Sequence, residues 1–164
     1  MPQINIRVAI PSDTALILSL IQELAEFEKL SHEVVATEEQ LREQIFGQKA
    51  VPEVLIAEFE GKGVGFALFF QNFSTFLAKP GIYLEDLYVQ PAFRSKSIGL
   101  KLLQAIAKIA MDRGCGRFEW SVLDWNERAI SFYRRLGAKP QNEWTVQRLT
   151  APEIRALVER EEIS

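Results

Sequence analysis

Apolar residues recur along the chain with two periods, one suited to strands and one to helices. "INIRVA" near the start alternates as an edge strand does. Ser12 is a candidate helix cap with Asp13 in the first turn, and Leu16, Ile17, Leu20, Ile21 and Leu24 then mark one apolar face. Thr37 and Gln40 form a capping-box pattern that opens a short helix ending near Gly47. "EVLIAEFE", "GKG" and "VGFALFFQNF" predict two strands around a glycine turn, and "GIYLEDLYV" predicts the next strand. Ile98, Leu102, Ile106 and Ile109 define a helix that Gly114 ends. "RFEWSVL" predicts a strand, "NERAISFYRRLG" a helix capped by Asn126 and stopped by Gly137, and "WTVQRL" a last strand. "TAPE" (Thr150, Glu153) caps a C-terminal helix.

The predicted order is β-α-α-β-β-β-α-β-α-β-α, a mixed α/β sheet with helices on both faces. The strand-helix-strand stretch at 81–123 requires a parallel crossover. With 164 residues, 48% of them hydrophobic, the chain can bury one core, so 1–164 is expected to form a single domain. A net charge of -3 gives no case for nucleic-acid binding. The lone Cys115 excludes an internal disulfide framework and a Cys-rich zinc site; the lone His32 argues further against a metal centre and a Ser-His-Asp triad. No metal is expected. No apolar run approaches the roughly 20 residues that cross a bilayer. "MPQINIRVAI" lacks signal-peptide features, so no membrane association and a cytoplasmic location are expected.

Three stretches can carry chemistry. In "QPAFRSKSIG" a basic loop leads from strand to helix, where unpaired backbone N–H groups and the helix dipole suit a phosphate. Arg94 and Lys96 add charge, and Ser95 and Ser97 can donate hydroxyls; read alone, the loop is equally a polar turn. In "YLEDLYV", Glu85 and Asp86 point to opposite faces if the strand is regular. Glu85 is either a ligand for a cationic amine that accepts its proton through water, or an edge residue in a salt bridge. In "NERAISFYRRLGA", Tyr133 is either core or a general acid toward a leaving thiolate.

Together, in this order, these stretches resemble the GNAT (GCN5-related) N-acetyltransferases, and within them the spermidine/spermine (diamine) N-acetyltransferase branch. The resemblance runs almost end to end, from "IRVAIPSDTALILSLIQELAEFEK" through "YLEDLYVQPAFRSKSIGLKLL" to "DWNERAISFYRRLGA". It implies a GNAT fold with a central twisted sheet of about six or seven strands flanked by helices. It also implies transfer of an acetyl group from acetyl-CoA to a primary amine, a diamine or polyamine first. A thialysine-like amino acid, another small amine or a protein lysine are the alternatives, as is a degenerate acyl-CoA-binding module. The resemblance assigns Leu87, Tyr88 and Val89 to the pantetheine arm. It assigns Arg94, Ser95, Lys96, Ser97, Ile98 and Gly99 to the pyrophosphate, and Asn126, Glu127, Arg128 and Ala129 to further cofactor contacts. Tyr133 becomes the general acid and also a cofactor contact, and Glu85 the catalytic residue that binds the amine and accepts its proton through water. Phe27 and Glu28 flank the acceptor groove, with Glu119, Trp120 and Ser121 on a bordering strand. A homodimer is the implied assembly.

The chain departs from the family pattern in three places. Ser97 stands where the loop pattern R-x-x-G-x-G has its middle glycine, adding a Cβ at a close approach. Phe27 lacks the hydroxyl of a tyrosine, and Trp120 is bulky for a groove wall.

Overall fold

The strand Lys62–Ser74 (β3) is the middle of a five-stranded sheet, and its two faces organise the helices. In the computed structural model, which describes residues 1–161, the sheet order is β1-β2-β3-β4-β5. Its other strands are Ile4–Val8 (β1), Glu53–Phe59 (β2), Lys79–Val89 (β4) and Arg117–Trp120 (β5). The first four strands pair antiparallel, and β5 joins β4 in parallel after the helix Ile98–Asp112 (α3). Thr14–Phe27 (α1) and Glu38–Phe46 (α2) fall between β1 and β2. Two compact units result, Met1–Leu123 and Asp124–Ser164; the second holds Glu127–Arg135 (α4) and Ala151–Glu159 (α5).

Strand alternation divides the core of the first unit. Val54, Ile56, Phe66, Leu68 and Tyr88 share one face and pack with Ile17 and Leu20 of α1 and Ile45 of α2. Leu55, Ala67, Phe69, Ile82 and Leu84 occupy the other face, all at most 4% exposed. On that side α3 buries Ile98, Leu102, Leu103 and Ile106 and touches all five strands. Helices therefore cover both faces of a mixed sheet.

One irregularity decides how β4 presents its side chains. Leu68 pairs with Asp86, but the next residue, Phe69, pairs with Leu84, so Glu85 is an extra residue in β4. Such a bulge bends the strand and re-aims the residues on either side. Leu84 stays on the α3 face with Phe69, whereas Asp86 joins Leu68 and Tyr88 on the α1 face. The strand is thus not regular where alternation alone set Glu85 and Asp86 on opposite faces. The β4–β5 ladder runs only from Gly81–Arg117 to Leu84–Trp120 and stops at the bulge.

Several predicted boundaries shift. The strand expected over "RFEWSVL" is shortened to Arg117–Trp120, because its partner turns away at Glu85. The sheet has five strands rather than six or seven, since "WTVQRL" (144–149) forms no ladder among the described residues. Alternation marks a segment that suits a strand, but a strand forms only where an edge accepts its backbone. Ser12 does not cap α1; it lies in a single 3-10 turn, Pro11–Asp13. The Asp13 carboxylate instead accepts from the Ile10 amide at 2.7 Å and takes two bonds of 2.8 Å from Arg7. Other signals are realised as read. Thr37 and Gln40 cap each other's backbone, Asn126 Oδ1 accepts from the Ala129 amide, and Thr150 and Glu153 close a capping box on α5. Gly114 and Gly137 end α3 and α4 at φ 69° and 92°, where a side chain would be strained.

Candidate active site

The loop between β4 and α3 is a tight turn built with serine where the family pattern has its middle glycine. Pro91–Phe93 makes one 3-10 turn, and Ser95 and Ser97 then both adopt left-handed backbone, φ 65° and 62°. This explains the family's middle glycine: position 97 needs positive φ, which glycine adopts freely and serine only at a cost. Ser97 is the N-cap of α3, yet its side chain makes no capping bond, so the first-turn amides keep their donors. A Cβ built on Gly99 meets nothing within 4 Å beyond its chain neighbours and its own helix backbone, which leaves open space over that turn. Donors, dipole and space together fit a pyrophosphate.

The loop's basic residues are engaged with aromatic rings. Arg94 donates from Nε to the Val89 carbonyl at 2.9 Å, and its guanidinium lies 5.0 Å from the Phe27 ring and 5.5 Å from Tyr88. Lys96 sits 5.3 Å from the centre of the Phe59 ring. Gln90, at the loop's start, donates to the Glu23 carboxylate on α1. The loop is therefore tied to α1, whose C-terminal residues Phe27 and Glu28 are the expected acceptor pair.

A group of carboxylates lies beside it. Asp86 is half-buried, and burial first, then the nearby negative charges of Glu85 and Glu28, push its pKa up to about 7. Burial also raises Glu28, the residue that closes α1. Glu85, the bulged residue, is exposed. Among the described residues no group of His, Cys, Asp or Glu could hold a metal ion. Leu87, Tyr88 and Val89 continue β4 beyond the point where β5 leaves it. Asp86 was not among the expected site residues. The signal for it was the pair of adjacent carboxylates in an apolar strand, but strict alternation put only one of them on the acceptor side.

On β5, Glu119 is ion-paired with Arg117 at 2.9 Å and registered opposite Tyr83, and Trp120 packs edge-on to Phe118 opposite Leu84. Ser121 follows the strand and shares a hydroxyl hydrogen bond of 2.7 Å with Tyr83. In the second unit, Asn126 is committed to its cap, Glu127 and Arg128 are exposed, and Ala129 is half-buried. Tyr133 is half-buried with its ring 5.7 Å from Phe132. His32 is exposed beside Glu33, and Cys115 is a free thiol following α3.

The profile of the Acetyltransferase (GNAT) family matches residues 18–138. The chain belongs to the GNAT acetyltransferase family. It is an amine N-acetyltransferase, and acetyl-CoA is the family's co-substrate. It is 39% identical to the thialysine N-epsilon-acetyltransferase of Mus musculus over 98% of this chain and 100% of that protein. It is 33% identical to the L-ornithine N5-acetyltransferase of Arabidopsis thaliana, over 93% of this chain and 87% of the other. Among solved structures, an integron cassette protein from V. cholerae superposes with a TM-score of 0.80 at 25% identity, covering 96% of this chain and 98% of that one.

The strain at position 97 can be measured. Ser97→Gly should raise the folding stability by about 1 kcal/mol by relieving positive φ, seen as a higher urea midpoint with no ligand present. An unchanged or lower midpoint would show that the serine sits in its loop without strain.

Proposed function

We propose that the acceptor is a small diamino compound, a diamine or a diamino acid, and that Asp86 takes the proton from its reacting ammonium. The observation that carries this reading is Asp86 itself: half-buried, poised at about 7, and flanked by Glu85 and Glu28. An ammonium approaching this group meets three carboxylates and is stabilised as a cation. A base poised near neutrality can still accept its proton, because enough of it is ionised at working pH. The free amine is the nucleophile, and Glu85 helps hold the cation in place. The curated relatives described above act, by name, on thialysine and on L-ornithine, which favours a diamino acid among these acceptors.

The residues of the β4–α3 loop fit the co-substrate. The first-turn amides of α3, the left-handed residues 95 and 97, and the open side of Gly99 would hold the pyrophosphate. Lys96 adds positive charge there, while Arg94 braces the loop against Phe27 and Tyr88. The β4 edge at Leu87–Val89, beyond the end of the ladder with β5, would receive the pantetheine arm. Acetyl-CoA would supply an acetyl thioester; as the bond to nitrogen forms and the bond to sulfur breaks, Tyr133 would donate a proton to the departing thiolate, and the second proton lost by the nitrogen would restore the tyrosine. Asn126, by capping α4, fixes the helix that carries Tyr133. In this reading residues 1–164 act as one catalytic domain.

The assembly we propose is a homodimer. Apolar side chains are left exposed in the second unit, at Trp144 and Val146 on the segment before α5 and at Val158 on α5. Phe76, at the β3–β4 turn of the first unit, is fully exposed. A second copy would cover such surface. Light scattering coupled to size exclusion should give twice the chain mass, and a monomer mass at micromolar concentration would refute the dimer.

Asp86 gives a signed pH prediction. Its folded pKa lies above the ordinary carboxylate value of about 4, so folding takes up a proton between about pH 4 and 7. Its effect on stability is therefore unfavourable above this window and absent below it. Asp86→Asn should stabilise the fold by on the order of 4 kcal/mol at pH 8 and leave it little changed at pH 4. The same variant should remove the limb near pH 7 from the profile of kcat/KM, which rises with pH as Asp86 ionises. A limb that persists would exclude Asp86 as the base.

Tyr133→Phe should lower kcat about 100-fold while the Kd for acetyl-CoA, read by thermal shift, holds within about threefold. Retention of kcat would remove the hydroxyl from the chemistry.

A further inference from the structure

The hydroxyl pair Tyr83–Ser121 lies on the same side of the sheet as Asp86; the resemblance sets Ser121 on the strand bordering the acceptor groove, but nothing above gives Tyr83 or the pair a role. The register fixes this placement. Phe66, Leu68 and Phe70 alternate along β3 onto the α1 face, and they pair with Tyr88, Asp86 and Tyr83 in turn. The extra residue Glu85 is what makes this possible: without it, Tyr83 and Asp86 would point to opposite sides. Ser121 follows Glu119 by two residues, and Glu119 is registered to Tyr83, which brings Ser121 to the same side. The hydrogen bond of 2.7 Å between the two hydroxyls agrees.

The chemistry of this spot is specific. Two hydroxyls that share one hydrogen leave one O–H donor and several lone pairs directed outward. The Phe70 ring lies 5.5 Å from the Tyr83 ring, so the pair is backed by an aromatic wall, and Tyr83 is only half-buried. Lone pairs beside ring faces favour a cation, by hydrogen bonding and by the ring quadrupole. Glu119, on the same side, is ion-paired with Arg117, so it adds little net charge there. Along β4 the backbone of Tyr83 lies roughly two strand steps, about 7 Å, from that of Asp86. The carbon chain of a short diamine spans a comparable length.

We infer that Tyr83 and Ser121 form a distal subsite that receives the second amino group of the acceptor while Asp86 engages the reacting one. This rests on the acceptor reading given above and adds a specificity-determining pair to it. The hydroxyl pair measures the separation between two amines, a discrimination that the carboxylates alone cannot make because they attract any cation. Tyr83 and Ser121 act as one unit, since each orients the other's hydroxyl.

The test compares butane-1,4-diamine with n-butylamine, acceptors of equal chain length, at saturating acetyl-CoA. For the wild type, kcat/KM should favour the diamine. Tyr83→Phe retains the ring and its contact with Phe70, and should reduce the diamine-to-monoamine ratio about tenfold, the scale of one lost hydrogen bond to a charged group. Ser121→Ala should reduce it by a similar factor, and the double variant should fall no further than the worse single one. The KM for acetyl-CoA should hold in all three. An unchanged ratio in Tyr83→Phe overturns the subsite, as does a fully additive double variant. If the wild type acetylates neither amine nor any diamino acid, the acceptor reading itself fails, which is a different result from an unchanged ratio.

Discussion

A single extra residue in β4 sets the geometry on which the rest of this site depends. A regular strand would send Glu85 toward one helix layer and Asp86 toward the other. It would also carry the parallel ladder with β5 further along. With Glu85 bulged, the ladder stops at Leu84–Trp120, the strands part, and Asp86 turns onto the face that carries Tyr88 and α1. The same irregularity that opens the sheet thus collects the carboxylates. Bulges are costly to a ladder, and here the cost coincides with a row of candidate site residues.

The charge economy of the first unit follows from that placement. Asp86 is too buried and too close to Glu85 and Glu28 to stay ionised at its ordinary pH, so its proton affinity rises into the neutral range. The buried Asp13 shows the opposite outcome within the same unit. Arg7 and the Ile10 amide satisfy its carboxylate, and its pKa is held below the ordinary value chiefly by the hydrogen bond from Arg7. One carboxylate has a dedicated cation and braces the fold. The other faces its own kind, Glu85 and Glu28, and has a raised pKa instead.

The basic loop after β4 follows a similar logic. Arg94 spends its guanidinium on a backbone carbonyl and two aromatic rings, which fixes the loop to α1. What the loop then offers an anion, in the proposed reading, is the backbone amides and dipole at the start of α3 together with the charge of Lys96. This is why serine can stand at position 97: its left-handed backbone, rather than its side chain, forms the turn, and the missing glycine is paid for in local strain.

Most of the framework was legible in the sequence. The periods of the apolar residues named α1, α2, α3 and the β2–β3–β4 run, and the capping signals at Thr37, Asn126 and Thr150 were realised because they are local contests between a side chain and its own backbone. The motif residues, from "YLEDLYV" to "FYRRLGA", were enough to name the family. Tertiary structure decided what depends on a neighbour. Residues 144–149 alternate like a strand but find no ladder, and "RFEWSVL" lost its second half when its partner turned away. Neither the bulge at Glu85, nor the raised pKa of Asp86, nor the meeting of Tyr83 with Ser121 across 38 positions has a local signature. Each follows from strand register, which is fixed by two strands together and cannot be read from either one alone.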